Sequence, residues 1–409
     1  MIPAANPSYH TSLSGLRMVH LHRPDAAVGH FGVAVNVGSR DEDPAVFGLA
    51  HFVEHTIFKG TDTHRSSYII NRMEAVGGEL NAYTSKEETV VYSTFPAGNL
   101  HRAMTLIADL VANSRFPERE LEKEREVVAD EIDSYLDSPA DAVFDDFDDL
   151  LFAGHGIGHN ILGTREALAS FTPELCRQYL RERYTQDNIV LFYAGDVPAD
   201  KFFRQAERLF ARLPLTGLRI KRSAPEVTDV FDHTVHIPSH QAHTVTGARI
   251  CQLDSPERYT YALLSNIMGG PGMNSLLNVS MRERNGLVYS VESSTSFYTD
   301  CGALTIYFGC DPADTRRCRR LVAQTVDRLA SGYMTPKRLE AAVTQYMGQR
   351  IVALDNTESR ILALAREFLL TGQPTVPGRA TEALRSITPD ALASAAASLR
   401  LSTLTLAPE

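Results

Sequence analysis

His51, Glu54 and His55 stand together in the stretch FGLAHFVEHTIFKGT. Helical residues four apart lie on one face. Both imidazoles can therefore reach one metal ion, and zinc favours nitrogen ligands of this kind. Glu54, one position before the second histidine, lies on an adjacent face. Its carboxylate can approach a water at such an ion without ligating the metal. For any single histidine the plain alternative is a structural role in the core or on the surface. Here the pattern sits in an expected helix, Phe47 to Phe58, that ends at Gly60.

A catalytic zinc usually takes three protein ligands and leaves one position open. FPERELEKEREVVADEIDSY offers candidates for the third. Glu124 and Glu131 are seven apart, two helical turns, and so share a face. Val127 and Val128 between them are expected to mark the buried side. Taken alone, the charge-rich segment also reads as a solvated acidic helix.

The elements that must position these residues follow from periodicity and punctuation. Strands are expected at Leu16 to His20, Phe31 to Val37, Glu88 to Phe95 and Asn188 to Ala194. Helices are expected at Ser66 to Val76, Leu100 to Ala112, Pro117 to Tyr135, Pro173 to Tyr184 and Ala199 to Phe210. A loop rich in glycine and histidine covers 153–164. Leu213 to Thr228 holds Pro214, Gly217, Pro225 and three basic residues, the marks of an exposed linker. The same order then returns: a strand at 243–250, a helix at 259–267, strands at 287–297 and 302–308, and helices at 314–331 and 336–353. Two similar domains in tandem are read, 1–213 and 229–409, joined at 214–228.

HFVEH followed by the ExxxxxxE helix resembles the pitrilysin-type M16 zinc metallopeptidases, whose H-x-x-E-H order defines the inverzincins. The resemblance implies one Zn2+ per chain, held by His51, His55 and Glu131. It makes Glu54 the general base and Glu124 a carboxylate that orients a ligand histidine. GGELNAYTSKEETVVY (77–92) is similar to the family's substrate strand, which implies that Asn81, Ala82, Tyr83 and Thr84 lie beside an extended peptide. By itself that segment is an ordinary hairpin. GGPGMNSLLNVSMRERNGLVYSVES (269–293) resembles the family's Arg/Tyr segment, with Arg282 and Tyr289 seven apart. The resemblance implies that Arg282 binds a peptide carbonyl or carboxylate and that Tyr289 donates to a developing oxyanion. The plain alternative is a surface arginine and a core tyrosine. Leu276 departs from the arginine that many members carry there.

The fold implied is α+β: two tandem similar domains, each a mostly antiparallel β-sheet packed with helices, as in the LuxS/MPP-like metallohydrolases. The activity implied is that of a zinc-dependent endopeptidase acting on peptides or unfolded segments. Because one chain carries both motifs, a homodimer with sites shared between chains is expected. The alternatives are a non-catalytic scaffold or partner subunit of the same fold, or a metalloenzyme of other chemistry.

Other features narrow the class. The net charge is −10 over 409 residues, and no long basic stretch stands out, which disfavours nucleic acid as a partner. Ile189 to Ala194, the strongest apolar run, is too short to span a bilayer, so no membrane role is expected. The start MIPAANPSYHTSLSGLRMVH lacks the pattern of a signal peptide. Five cysteines without a CxxC pair fit a reduced, cytoplasmic compartment. His233, His236, His240 and His243 form a second histidine cluster. An extended segment would point His233 and His236 to opposite sides, and Pro238 interrupts any helix, which weighs against a metal site there.

Overall fold

The computed structural model describes residues 6–218 and 220–409. The first five residues of the amino terminus and Arg219 of the expected linker lie outside the described residues. The chain divides into two compact units. One takes the described residues up to Asp133, with His159–Lys221 and Ala353–Thr375; the other takes Ser134–Gly158, Arg222–Val352 and Val376–Glu409. The division after Lys221 falls inside the 214–228 segment. The contiguous domains read from the sequence need correction, however, because 134–158 and 353–375 each belong to the unit on the other side of that division.

The first unit is built on strands β1 (Ser8–Thr11), β2 (Arg17–His22), β3 (Val28–Val35), β4 (Glu79–Thr84), β5 (Thr89–Pro96) and β6 (Ile189–Gly195). Their order across the sheet is β1-β2-β6-β3-β5-β4. β2 and β6 run parallel, and every other neighbouring pair is antiparallel. All seven residues of β6 are buried. Its sequence, IVLFYAG, is the near-continuous apolar run of a strand covered on both faces. Side chains alternate between those faces. Val33, Val35 and Leu191 join a large core with Phe52, Met104 and Leu110. Ala34, Val190 and Phe192 face the other way, onto Ile361, Ala365, Phe368 and Leu369 of the helix Thr357–Thr371.

The second unit holds β7 (Asp232–Ile237), β8 (Ala242–Ile250), β9 (Val288–Phe297), β10 (Gly302–Cys310) and β11 (Ser402–Pro408), in the order β7-β11-β8-β10-β9. β7 and β11 are parallel and the rest antiparallel. With β1 set aside, the strands of each unit, counted along the chain, read first-fifth-second-fourth-third, with the first and fifth parallel. The tandem repeat is therefore one of topology. One face of the second sheet packs Val245, Leu404 and Leu406 against Val143, Phe147 and Leu151 of the helix Pro139–Leu151. The other face carries Leu304, Ile306 and Phe308 against helices that include Arg258–Gly269 and Thr315–Ala330.

Each unit thus takes one sheet-covering helix from the far half of the chain. Neither the Pro139–Leu151 helix nor the Thr357–Thr371 helix was read from the sequence, nor were β11 and the helices Arg379–Ser386 and Pro389–Ala397. Among the described residues no helix is long and apolar enough to cross a membrane.

Candidate metal centre

The helix Leu49–Thr56 carries the histidines. It is shorter than the expected Phe47 to Phe58, because Gly48 at φ +96° turns the chain into it. Leu49, Ala50, Phe52 and Val53 anchor one face in the core. His51 and His55 leave the other face together, with ring centroids 4.5 Å apart. The helix Glu118–Leu136 supplies the carboxylates. Its buried stripe is Leu121, Glu124, Val128 and Ile132. Val127, expected beside Val128 on the buried side, is instead 51% exposed. A helix turns by about 100° per residue, so of two adjacent valines one leaves a narrow stripe.

Glu131 Oε2 lies 3.5 Å from His55 Nε2 and 3.8 Å from His51 Nε2. One ligand atom from each of the three residues lies within 4.8 Å of the others. Tetrahedral zinc with bonds of about 2.0–2.1 Å separates its ligand atoms by about 3.3 Å. The two separations to Glu131 lie within about half an ångström of that spacing, so the two histidines and the carboxylate can close on one zinc ion. The donor set, two imidazoles and one carboxylate, leaves a fourth position open.

Glu124 does not join the three. Its Oε1 accepts from His55 Nδ1 at 3.0 Å, which directs the Nε2 lone pair toward Glu131. Its other oxygen is 2.6 Å from Lys59 Nζ. Lys59 was not singled out from the sequence, and its place in HTIFKGT, four residues after His55, was the available signal. Burial works to raise the Glu124 pKa, but the hydrogen bonds from His55 and Lys59 outweigh it and hold the group below its ordinary value. Burial likewise works to lower His55, and the bond to Glu124 with the charges of Glu54 and Glu131 raises it instead. Burial, with a smaller contribution from His55, pushes His51 down to about 4, so its ring is neutral at pH 7 and can ligate.

Glu54 is raised by burial, against the opposing hydrogen bond from Thr84 and the charge of His55. The Thr84 hydroxyl donates to Glu54 Oε2 at 2.9 Å. Thr84 ends β4, which also carries Asn81, Ala82 and Tyr83 and, among the described residues, pairs only with β5. The proposed base is therefore hydrogen-bonded to an edge strand.

The second unit carries the other two residues. Arg282 lies in a π-helical turn, Asn278–Glu283, half exposed and with Nε 3.6 Å from Glu283. Tyr289 is the second residue of β9 and is 91% exposed, so it is no core tyrosine. In the second histidine cluster, His236 Nδ1 meets the Pro408 carbonyl at 2.9 Å, His243 Nδ1 meets the Tyr307 hydroxyl at 2.9 Å, and His233 stacks on Phe231. Among the described residues, His51, His55 and Glu131 form the one grouping with metal-ligand spacing.

Residues 17–165 match the family model described as Insulinase (Peptidase family M16), and residues 170–346 match the one described as Peptidase M16 inactive domain. A Bacillus subtilis protein named uncharacterized zinc protease YmxG is 34% identical over 368 residues, spanning 89% of this chain and 88% of that protein. The Mycobacterium tuberculosis protein named uncharacterized zinc protease Rv2782c is 33% identical over 379 residues, 90% of this chain and 85% of its own. Among solved structures, a protease from Helicobacter pylori aligns with a TM-score of 0.91 at 20% identity, covering 99% of this chain and 100% of that one. A Pseudomonas fluorescens structure described as a peptidase M16 inactive domain aligns with the same TM-score at 17% identity, over 99% and 98%. At those identities the structures speak to the fold, which is that of M16-like peptidases. On the family models and the curated relatives together, the chain belongs to peptidase family M16.

Proposed function

We propose that the protein is a zinc-dependent endopeptidase that hydrolyses peptides or unfolded protein segments bound as an extended strand. One observation carries the reading: the His51, His55 and Glu131 cluster is assembled with Glu54 at its side, and Glu54 is hydrogen-bonded to the end of the edge strand β4. The relatives named zinc proteases support the metal and the reaction class.

His51, His55 and Glu131 would hold the ion, which supplies Lewis-acid polarisation of the scissile carbonyl and acidifies water. A peptide pairs with the free edge of β4 through backbone hydrogen bonds, which hold it whatever its side chains. Glu54 takes a proton from the attacking water and delivers it to the leaving amine. Glu124 holds His55 in the tautomer that ligates, and Lys59 holds Glu124. Arg282 and Tyr289 would act from the second unit of a partner copy. Arg282 binds a substrate carbonyl or carboxylate, and the Tyr289 hydroxyl donates to the oxyanion. Five free cysteines favour a reducing, cytoplasmic setting.

The test is cleavage of quenched fluorescent peptides with and without chelator. Activity abolished by chelation and restored by zinc supports the reading. A folded, zinc-loaded protein that cleaves no member of a broad peptide library overturns it in favour of a scaffold subunit.

A further inference from the structure

The two ligand histidines are held differently. His55 has its outer hydrogen bond to Glu124, whereas His51 Nδ1 is buried without a hydrogen-bond partner among the described residues. An outer bond commonly fixes the ring of a ligand histidine. Without one, the orientation of His51 depends on where its helix sits.

That helix has eight residues, and the first turn of any helix leaves backbone N–H groups unpaired. Glu42, whose side chain is 1% exposed, meets two such groups. Its Oε2 accepts from Gly48 N at 2.8 Å and its Oε1 from Ala50 N at 2.5 Å. Ala50 directly precedes His51. Burial works to raise the Glu42 carboxyl above its ordinary range, and these two amides work against that rise.

The surroundings leave the helix start little freedom. A Cβ at Gly48 would lie 2.5 Å from the Leu162 carbonyl oxygen, and one at Gly163 would lie 2.1 Å from that of Phe47. His159 stacks on Phe47 with centroids 3.7 Å apart, bonds Ser39 O through Nε2 at 2.7 Å, and lies 3.8 Å from Glu42. The amides of Ser39 and Arg40 each donate at 3.0 Å, to the carbonyls of Ser85 and Lys86. Ser85 follows Thr84, the hydroxyl donor to Glu54. The Glu42 segment therefore joins the start of the metal helix to the end of the edge strand.

We propose that Glu42 is the positioning residue of His51: its two hydrogen bonds set the place and rotation of the metal helix, and so do for His51 what Glu124 does for His55. The inference rests on the zinc-peptidase reading, and its test separates the two. Glu42→Ala removes both acceptors, and Glu42→Gln keeps one carbonyl acceptor. Zinc affinity is measured by competition with a chromophoric chelator, and hydrogen exchange is followed on the metal-free protein.

Glu42→Ala should weaken zinc binding about ten- to a hundredfold, the usual range for losing an outer partner. Glu42→Gln should fall between it and wild type. Exchange across 48–55 should quicken in metal-free Glu42→Ala while β3 and β6 keep their protection. With peptide substrate, kcat should fall and KM hold. Ile361→Val, on the opposite face of the sheet, controls for general destabilisation and should keep wild-type affinity.

Zinc affinity unchanged in folded Glu42→Ala overturns the proposal, as does an equal loss in Ile361→Val. If Glu42→Ala fails to fold, Glu42→Gln decides, and unchanged affinity in it is equally fatal. Wild-type protein that binds no zinc overturns the function and this inference together.

Discussion

Glu54 is the residue on which the proposed chemistry turns, and its geometry makes a sharp expectation. It sits among the ligands but outside the cluster, and accepts a hydrogen bond from Thr84. Glu54→Gln should therefore keep zinc at one ion per chain and lose the proton transfers. Removing a general base typically costs about 10²- to 10⁴-fold in rate. Metal content by mass spectrometry and kcat on a fluorescent peptide check this together, and full turnover in the zinc-loaded variant would sink the assignment. The candidate ligands were legible in part: i,i+4 spacing pairs the two histidines and a two-turn spacing pairs Glu124 with Glu131, while the choice of Glu131 between the two came from the family resemblance. Glu42, which reaches the helix through a turn, and the absence of an outer partner for His51 were not legible. Both are set by contacts through space.

At the scale of elements, local periodicity showed that a segment is helical but not what it packs on. Val143, Phe147 and Leu151 are spaced at i, i+4 and i+8, a helical stripe that could have been read. That this stripe covers the second sheet, while Ile361, Ala365 and Phe368 cover the first, is tertiary information. Phe368 is nearly fully buried and meets Tyr9 edge-on, with centroids 5.0 Å apart. Phe368→Ala should cost about 3–5 kcal/mol in the first unit, the usual range for an aromatic removed from a core. Urea unfolding followed through the first unit measures it, and a loss below 1 kcal/mol would mean that the helix is not a core element. β2 adds a pH-dependent term. His20 on β2 is fully buried, its Nε2 meets the Val197 carbonyl at 2.8 Å, and burial pushes it down to about 4. Unfolded, it titrates near 6.5, so as pH falls from there toward 4 the unfolded chain binds a proton that the folded one refuses. Stability should fall over that window by about 3 kcal/mol in all. His20→Gln should flatten this part of the urea-midpoint profile against pH. An equal decline in the variant would assign the acid sensitivity to other groups.

For the whole molecule, the repeat is one of strand order, first-fifth-second-fourth-third in each unit, and it places the two motifs in different units. The order of elements showed the repeat in the sequence. The helix exchange stayed hidden because nothing local marks a segment's destination. The proposed homodimer makes a quantitative claim about this division. Its twofold axis would complete each zinc cluster with Arg282 and Tyr289 of the other copy, giving two sites per dimer. Glu54→Gln chains lack a base and Tyr289→Phe chains lack the oxyanion donor, so each pure dimer holds two defective sites. After subunit exchange at equal amounts, half of the dimers are mixed. In a mixed dimer one site pairs both defects and the other has neither. Activity should therefore recover to about a quarter of wild type, as random pairing around a twofold axis requires. If each site were instead built within one chain, every site would keep its defect at any mixing ratio, and activity would stay at the mean of the two parents. Exchange confirmed by native mass spectrometry, without recovery, would rule out the shared site.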